Sequence, residues 1–594
     1  MEEIIRVTDR RRADIRFQDG ALPHLCGVKS FQIMRANRKT PEDAEGFGWT
    51  YNHAAMLCHA FGRFYCQFLS NPVSEHETPG HTLLCDSEDG AHWSRPRVLF
   101  PEIEIDTAPY LGPRTPQLLP RMLTVPHQRM GFYMGRNGVL LTLSFYGLVH
   151  DRHQSAPCDG WGVGRAARRI FPDGSLGDIH FLLYNEPAGF TEKNVDAFPP
   201  YEKSPDGAFV DACRELLSNG AAMRQMYEEQ RFDKKLFPRP GAQAFCFYTV
   251  EGQHMVGVYK RSLASLSHDG GKTWTDPAPQ PSIHTMTGKV WGQRTSDGRF
   301  TLMYNPTTDG QHRWPIAAVT GEDGHTFSHL SAVTGDMSPQ RYGGIDKNLG
   351  PQYMRGIAEC NPQTPDGDVW LAYSNNKEDI WVSRIPVPLN AEGPREGSLD
   401  LSSGSFPAAL GVYSPAWAPV TMENGAVTLR DRDPYDRAAV EVGVGQAESG
   451  SVHAALSVDA VAECGSVTLE MQDDAGRTPI QLIFRPDGKV YLRNDGRIDP
   501  WLPWRSGEVI HLDIAFDAAA CRTVLTLNGA EKKQAFNASV NEIARLRLLT
   551  KQHIPCLSTL DSCGKYGQKD QVLPGCEEKT EETRVRLLAL SWKG

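Results

Sequence analysis

Long apolar runs are missing from this chain of 594 residues. No stretch of about 18 apolar residues occurs, so the sequence predicts no membrane-spanning helix. Positive charge is not in excess either, because 62 Lys and Arg residues stand against 72 Asp and Glu residues, for a net charge of −10. A general nucleic-acid binder carries a basic face. We therefore expect neither a nucleic-acid partner nor a membrane partner.

Closely spaced cysteine pairs are also absent. None of the 13 cysteines forms a Cys-x-x-Cys pair, which argues against a zinc ribbon. Cys58, Cys66 and Cys246 fall within apolar strand patterns, as expected for buried free thiols in a reducing compartment. The first twenty residues contain no apolar core and do not resemble a signal peptide. We expect a cytoplasmic protein, unless a leader was removed.

The sequence does contain one short motif that occurs three times. Ser267–Trp274 reads S-x-D-x-G-x-T-W, and Ser87–Trp93 and Gly321–Phe327 are looser copies. In each copy the Asp side chain can bond its own turn, and Gly can adopt the positive φ that other residues avoid. A repeated turn of this kind indicates a repeated supersecondary unit, as in propellers and solenoids.

The segments around these turns predict the strands of propeller blades. Residues 245–250, 254–260 and 262–267 lead into the full copy, and residues 290–295, 299–305 and 315–320 lead into the third. Because a four-stranded blade takes about 40–50 residues, residues 1–390 predict an all-β propeller with six or seven blades. A helix-forming stretch, residues 208–231, lies in an insertion near 187–241. This insertion is either a lid over a site or a helix packed on the rim.

The C-terminal part of the chain has a different pattern. Residues 391–405 are rich in Gly, Ser and Glu and predict a linker. Residues 406–594 alternate in polarity without the repeated turn, which predicts a β-sandwich of the jelly-roll type. The run 511–529 resembles the concanavalin-like sandwiches that accompany many glycan-cleaving propellers.

Polar residues at the starts of inner strands are candidates for function, because these starts surround the central mouth of a propeller. His53 follows Tyr51 and Asn52 at such a start and can act as a general acid or base. The alternative is a structural histidine bonded to a neighbouring loop. Glu378 is the candidate carboxylic acid, although it can also pair with Lys377.

The predicted substrate-binding residues include two arginines. Arg165 and Arg294 can hold a substrate carboxylate in bidentate fashion, or they can form salt bridges between blades. Trp291 can stack on a sugar face or pack between blades. The remaining members of this set are Tyr51, Asn52, His150 and Lys377. A structural calcium ion is compatible with a propeller axis, but no ligand spacing indicates a metal, and we expect no required cofactor.

The repeated turn resembles the Asp-box of sialidases, whose propellers begin with an F/Y-R-I-P motif. Here the only R-I-P is Arg384–Pro386, near the predicted end of the propeller. A closer resemblance lies in Trp49–His53, Gly162–Arg165 and Asn376–Val382. These runs look like sialidase-like propellers of glycan-degrading bacteria, and within that group like propeller α-L-rhamnosidases and rhamnosyl-glucuronate lyases. The resemblance implies a catalytic histidine, which His53 matches by its early position.

These observations favour an exo-acting carbohydrate enzyme that removes a terminal sugar from an acidic, uronate-containing oligosaccharide. Both a glycoside hydrolase and a polysaccharide lyase remain open, with His53 as the acid or base. A non-catalytic glycan-binding propeller and an exo-sialidase are the alternatives. The sequence leaves the oligomeric state open.

Overall fold

The computed structural model describes residues 3–111, 118–127, 131–149, 162–227, 243–285, 288–310, 312–357, 364–494, 496–551 and 571–594. Regular structure in these residues is mostly β, as the alternating segments bounded by Gly and Asp turns predict. Among the helices within these ranges, none is long and apolar enough to cross a membrane.

The N-terminal part consists of short strands and one pair of helices. Its strands are β1 Arg6–Val7, β2 Lys29–Met34, β3 Tyr51–Ala60, β4 Arg63–Asn71, β5 His81–Ser87, β6 Arg97–Phe100, β7 Glu104–Asp106, β8 Arg121–His127, β9 Phe132–Met134, β10 Leu140–Leu148, β11 Gly162–Ile170, β12 His180–Tyr184, β13 Cys246–Glu251, β14 His254–Tyr259, β15 Leu263–Ser267, β16 Ala278–Pro279, β17 Trp291–Arg294, β18 Phe300–Tyr304, β19 Ile316–Gly321, β20 Thr326–Thr334, β21 Pro351–Gly356, β22 Val369–Asn375 and β23 Asp379–Ile385. The helices are α1 Gly207–Ser218 and α2 Gly220–Met226.

These strands form five sheets, which we number along the chain. Sheet 1 is β3-β4-β5-β6, sheet 2 is β12-β11-β10-β8-β7 with β9 also on β10, and sheet 3 is β13-β14-β15-β16. Sheet 4 is β17-β18-β19-β20 with β1 outside β20, and sheet 5 is β21-β22-β23-β2. The inner strand β3 packs against β21 and β22, β5 against β8, β13 against β17, and β17 against β21. The sheets therefore follow one another around a ring, as blades do.

The number of blades predicted from the sequence is wrong for the described residues, which form five sheets instead of six or seven. The estimate assumed that nearly all residues up to 390 belong to blades. Long connections instead use much of this length. The insertion between β12 and β13 contains α1 and α2, and residues 335–350 connect β20 to β21 without a strand.

The helix pair packs between sheets 2 and 3 and is not confined to a rim. Phe209 and Leu216 of α1 share a core with Leu141 and Leu143 of β10. Ala221 of α2 belongs to a second core formed with residues of sheet 3. The helices therefore fill the space between two blades, and their apolar residues are buried on both sides.

The C-terminal part consists of two sheets around one hydrophobic core. Its strands are β24 Glu396–Ser398, β25 Gly411–Ser414, β26 Val420–Glu423, β27 Ala426–Asp431, β28 Ala439–Ala447, β29 Ser449–Ala460, β30 Val467–Gln472, β31 Ile480–Phe484, β32 Lys489–Asn494, β33 Arg497–Pro503, β34 Val509–Asp517, β35 Arg522–Leu527, β36 Ala530–Ala535, β37 Ile543–Leu549 and β38 Thr583–Lys593. One sheet is β25-β28-β37-β30-β31-β32-β33, and the other is β26-β27-β38-β29-β34-β35-β36 with β24 on β38. Residues of β34 are alternately exposed and buried, as a strand with one face on a core requires. We call this part the sandwich.

The propeller and the sandwich share a sheet. Outer strand β2 of sheet 5 pairs in parallel with β25, with Lys29 opposite Val412 and Phe31 opposite Ser414. Sheet 5 and one sandwich sheet thus form a continuous sheet of 11 strands. Within residues 391–405, β24 pairs with β38, and the Trp592 indole donates to the Pro394 carbonyl oxygen at 2.8 Å.

Candidate active site

Polar side chains from all five sheets meet where the inner strands surround the ring centre. They are His53 and Glu75 of sheet 1, His127 of sheet 2, Lys260 of sheet 3, Lys289 and Arg313 of sheet 4, and Tyr353, Ser374 and Lys377 of sheet 5. We call this set the mouth cluster. Because no single blade could provide it, the cluster depends on closure of the ring.

Tyr353 lies at the centre of three cationic side chains. Lys260 Nζ donates to the Tyr353 hydroxyl oxygen at 2.8 Å. Lys289 Nζ lies 4.6 Å from the centre of the Tyr353 ring, and the Arg313 guanidinium carbon lies 5.4 Å from it. Tyr353 has a φ of 57°, in the left-handed region that tyrosine rarely adopts. The surrounding structure therefore holds Tyr353 in an unfavourable backbone conformation, and such conformations are frequent at functional sites.

The His53 ring lies beside that of Tyr353, with ring centres 4.3 Å apart and the ring planes tilted by 41°. Its Nδ1 lies 2.6 Å from Ser374 Oγ, and its side chain is buried. The described residues offer no hydrogen-bond partner to its Nε2. Burial, and after it the charge of Lys377, lower the pKa of His53 well below its ordinary value. His53 is therefore neutral near pH 7 and can accept a proton.

Glu75 and Lys377 form an ion pair beside His53. Lys377 Nζ donates to Glu75 Oε2 at 3.0 Å and lies 5.6 Å from the Tyr51 ring centre. His76 Nε2 lies 3.6 Å from the other carboxylate oxygen of Glu75. Burial alone would raise the pKa of the Glu75 carboxyl, but Lys377 and then His76 hold it well below its ordinary value. Glu75 is therefore an anion at neutral pH.

The catalytic role predicted for Glu378 does not fit its surroundings. Its carboxylate is fully buried and accepts the backbone N–H groups of Arg341 at 3.0 Å and Tyr342 at 2.8 Å. Lys347 Nζ lies 3.4 Å from it. Burial raises the pKa of Glu378, although Lys347 and Arg341 oppose this shift. Glu378 anchors a loop and has no open face for a substrate.

Tyr51 and Asn52 belong to the wall of the mouth cluster. Asn52 Nδ2 donates to the Glu378 carbonyl oxygen at 3.0 Å, and its backbone N–H donates to the Lys377 carbonyl oxygen at 2.8 Å. Asn52 therefore ties the start of β3 to the loop after β22. Tyr51 is fully buried, and burial followed by Glu75 raises the pKa of its phenol well above the ordinary value.

Two other predicted binding residues lie elsewhere. Arg294 is exposed at the far end of β17, where it donates to the Gly298 carbonyl oxygen at 3.3 Å, so it does not converge with His53. Trp291 is buried in the core, and its indole donates to Gln293 Oε1 at 2.8 Å, so it offers no sugar-stacking face. The two corrections have different causes. Arg294 lies at the end of the strand away from the mouth, whereas Trp291 lies at its start but points into the core, a direction that the sequence does not show.

Arg165 is buried beside the helix pair. Its guanidinium carbon lies 4.5 Å from the Phe145 ring centre and 4.3 Å from that of Tyr227 at the end of α2. These two rings enclose it, an arrangement that favours cation–π contact over a substrate carboxylate. His150, the remaining predicted binding residue, lies outside the described residues.

Sequence reasoning missed seven members of the mouth cluster: Glu75, His127, Lys260, Lys289, Arg313, Tyr353 and Ser374. Lys289 lies two residues before Trp291 and Lys260 directly follows β14, so both are charges that flank apolar strands. A charged residue directly beside an apolar strand is therefore the sequence signal that could have identified Lys260 and Lys289. Arg313 and Glu75 lie in connections, where polar residues are common and the sequence carries no distinguishing mark. Within the described ranges, no three His, Cys, Asp or Glu side chains are grouped to hold a metal ion.

Comparison with known proteins relates both parts of the chain to sialidase-like proteins. Residues 3–242 match the family described as BT_1020-like, N-terminal beta propeller, and residues 411–560 match the family described as Sialidase-like, CBM domain. A solved structure named Sialidase has a TM-score of 0.91 and 33% identity over 100% of this chain. The chain covers 54% of that protein and so spans about half of its length.

Other solved structures are more distant. A mutant of Trypanosoma rangeli sialidase that displays trans-sialidase activity has a TM-score of 0.38 and 10% identity, with 96% of both chains covered. Trypanosoma rangeli sialidase itself has a TM-score of 0.33 and 10% identity, with 92% of both covered. These scores are too low to support an argument. No curated protein matched the sequence. An α-L-rhamnosidase is not among these matches, and that resemblance stays a prediction. The chain thus contains a sialidase-like β-propeller followed by a sialidase-like C-terminal β domain.

Proposed function

We propose that this protein is an exo-acting glycosidase that removes a terminal carboxylated sugar from a glycan. The observation that carries the proposal is the gathering of Lys260, Lys289 and Arg313 around Tyr353. Lysine and arginine in a buried site bind a carboxylate and also stabilise negative charge that develops during reaction. The overall similarity to a structure named Sialidase supports the same class of reaction.

For hydrolysis we assign the attack on the anomeric carbon to the Tyr353 hydroxyl oxygen. Tyrosine is an established type of covalent nucleophile, and its phenolate is less costly beside cations. Lys260, which donates to this oxygen, can stabilise the charge that forms on it. His53 accepts the phenol proton through Nε2 as the tyrosine oxygen bonds to the anomeric carbon, and it passes this proton to the glycosidic oxygen of the departing glycan as that bond breaks. A water molecule completes the reaction by releasing the sugar from the tyrosine oxygen.

Elimination is a second candidate reaction because His53 is buried and neutral. A buried histidine with a lowered pKa is a neutral base, and its Nε2 has no hydrogen-bond partner in the described part of the chain. It could remove the proton α to the carboxylate of a uronate that carries a sugar on O4, while the nearby cations stabilise the enolate-like charge; the C4–O4 bond then breaks and the O4-linked sugar leaves as an alcohol. This route gives an unsaturated sugar and needs no nucleophile.

A paired substrate screen tests the proposal. The full chain is incubated with oligosaccharides that end in a carboxylated sugar and with matched oligosaccharides whose terminal carboxylate has been reduced to an alcohol. A third set carries a neutral sugar on O4 of a uronate, the linkage that elimination needs. Sialosides belong in the panel, since the exo-sialidase alternative predicts cleavage of these alone. We expect release of the acidic sugar only. Rising ultraviolet absorbance would identify elimination, whereas binding without cleavage of any member would support a non-catalytic propeller.

Lys289→Met tests the carboxylate-binding role of the cations. Methionine keeps most of the length of the side chain and removes only its charge. We expect KM for the acidic substrate to rise by about tenfold to a hundredfold, which corresponds to one charged hydrogen bond of about 1.5–3 kcal/mol. The neutral substrate should bind as before. Lys272→Met on the exposed Asp-box turn is the control, and an equal effect of both variants would contradict the assignment.

A further inference from the structure

Residues 335–350 lie between the sandwich and the mouth cluster. We call this stretch the bridging segment, because it connects β20 of sheet 4 to β21 of sheet 5 and contacts both parts of the protein. Much of it is buried, including Asp336, Arg341 and Lys347. A buried connection without a strand must have its polar groups paired by its neighbours.

On one side the bridging segment is bound by charged residues of the sandwich. Asp336 forms ion pairs with Arg437 and Arg547, and all three side chains are buried. Ser338 Oγ donates to Asp436 Oδ2 at 2.5 Å. The ion pairs of Asp336 are charge-assisted and therefore among the stronger hydrogen bonds, so they hold the first residues of the segment firmly.

The backbone of the bridging segment is bound as well. The Leu573 N–H donates to the Arg341 carbonyl oxygen at 2.8 Å, and the Gly343 N–H donates to the Gln571 carbonyl oxygen at 2.7 Å. Tyr342 and Val572 thus form an antiparallel bridge. Residues 571–573, which precede β38, therefore contact the propeller.

On the other side the bridging segment holds the loop that follows β22. The Ser338 carbonyl oxygen accepts from Asn375 Nδ2 at 3.1 Å and from Asn376 Nδ2 at 2.9 Å. The backbone N–H groups of Arg341 and Tyr342 donate to the Glu378 carboxylate. The loop that contains Lys377 is therefore fixed at both of its ends.

This loop needs such support because of its backbone conformation. Asn376 and Lys377 both have a φ of 55°, and two successive non-glycine residues in the left-handed region are strained. The bridging segment also contacts the loop with Glu75. The Ile345 N–H donates to Ser74 Oγ at 3.0 Å, and the Glu75 N–H donates to the Ile345 carbonyl oxygen at 3.4 Å. Both partners of the Glu75–Lys377 ion pair thus depend on this segment.

We infer that the sandwich is a positioning element of the mouth cluster and that Asp436 acts as a positioning residue for Lys377 through Ser338. The chemical consequence rests on the proposed function, since it assumes that the Glu75–Lys377 pair and His53 serve a reaction. A carbohydrate-binding module needs no such contacts, because it acts by attaching the enzyme to a glycan. The role inferred here is mechanical and local.

Hydrogen exchange in the full chain tests this inference without a substrate. The readout is the exchange rate of the backbone amides of Arg341, Tyr342, Asn376 and Glu378, followed by mass spectrometry. In Asp436→Ala we expect these amides to exchange about fivefold to tenfold faster, because one hydrogen bond to the segment is lost. Asp436→Asn can still bond Ser338 and should restore slow exchange.

The matched control is Asp459→Ala, which removes another sandwich carboxylate, one that accepts from Arg586 at 2.7 Å on the sheet that does not join the propeller. It should leave all four amides unchanged. If Asp436→Ala fails to fold, Ser338→Ala breaks the same hydrogen bond from the propeller side. Unchanged amides in a folded variant, or equal changes with Asp459→Ala, would overturn the inference.

Kinetics on a cleaved substrate provide the second readout. Asp436→Ala should lower kcat by about tenfold with a smaller change in KM, the pattern of a misplaced group acting in the transition state. Asp436→Asn should recover most of this loss. If no substrate in the panel is cleaved, the proposed function fails while the exchange rates still decide the positioning role. If the four amides of Asp436→Ala exchange faster but kcat is unchanged, the catalytic part of the inference is wrong, whereas the positioning role stands.

Discussion

At the scale of single residues, burial sets the chemistry of the mouth cluster. His53 and Glu75 lie side by side, but burial and Lys377 keep His53 neutral whereas the same lysine keeps Glu75 ionised. The same cation thus lowers both pKa values and favours the deprotonated form of each side chain, a neutral imidazole and a carboxylate anion. A neutral imidazole in such a site can accept a proton during a reaction.

Variants of His53 and Tyr353 distinguish the two candidate reactions. His53→Gln should lower turnover by about two to four orders of magnitude in either reaction, the usual contribution of general acid–base catalysis. Tyr353→Phe should abolish hydrolysis, which needs the nucleophile, and largely spare elimination. The measurement is kcat on the acidic substrate. His59→Gln, on the same strand but at its far end, is the control, and full activity of His53→Gln would refute its role.

At the scale of elements, the helix pair fills the space between sheets 2 and 3 with apolar side chains. The Asn219 side chain caps α2 by accepting the Ala222 N–H at 3.1 Å, as its position before a helix allows. The Arg224 guanidinium then lies 5.3 Å from the Phe245 ring centre and 5.8 Å from that of Trp274. Since Trp274 ends the full Asp-box copy, this repeated turn of sheet 3 also serves as a helix contact.

Two neighbouring glycines of that turn test the contact. Gly270 and Gly271 have φ values of 72° and 85°, so alanine at either position costs about 1–2 kcal/mol. A Cβ at Gly271 would lie 2.6 Å from the Cβ of Ala221 in α2, whereas one at Gly270 would meet nothing within 4 Å. Gly271→Ala should therefore be less stable than Gly270→Ala by about 1–3 kcal/mol. Thermal unfolding measures the difference, and equal melting temperatures would show that the helix moves aside freely.

At the scale of the whole molecule, the propeller and the sandwich are joined by a shared sheet and by buried charges. Arg35 of the propeller pairs with Asp433 of the sandwich at 2.9 Å, and its guanidinium carbon lies 3.6 Å from the Trp417 ring centre. Removing one partner of such a buried pair leaves an uncompensated charge, which is more costly than the pair is favourable. The two parts should therefore unfold together.

The pH dependence of stability tests one buried group at this interface. Burial, and after it Asp433, raise the pKa of Asp436 from 3.8 to about 7. The folded state therefore keeps a proton that the unfolded state loses above about pH 4, so stability present at low pH is lost as pH rises through about 7. Asp436→Asn stays uncharged at every pH. Its advantage in free energy of unfolding over the wild type should grow by about 2 kcal/mol between about pH 5 and pH 8. Parallel curves would contradict the raised pKa.

Much of the architecture follows from local patterns in the sequence. Gly and Asp fix the turns, alternation fixes the strands, and residues 208–231 were correctly predicted to contain helix. Such features need only neighbouring residues to form, since turn and strand preferences are local. His53 and Lys377 were also singled out as polar residues beside strand ends, and both belong to the mouth cluster.

The other features of the fold and the site depend on closure of the propeller ring. The number of blades, the approach of Lys260, Lys289 and Arg313 to Tyr353, and the burial of Glu378 depend on contacts between residues far apart in sequence. Periodicity cannot show which blades are adjacent or where the bridging segment runs. By itself, then, the sequence determined which residues form strands, turns and helices. Only the tertiary structure decided which charges meet at the mouth cluster, because their positions arise from packing between blades and against the sandwich.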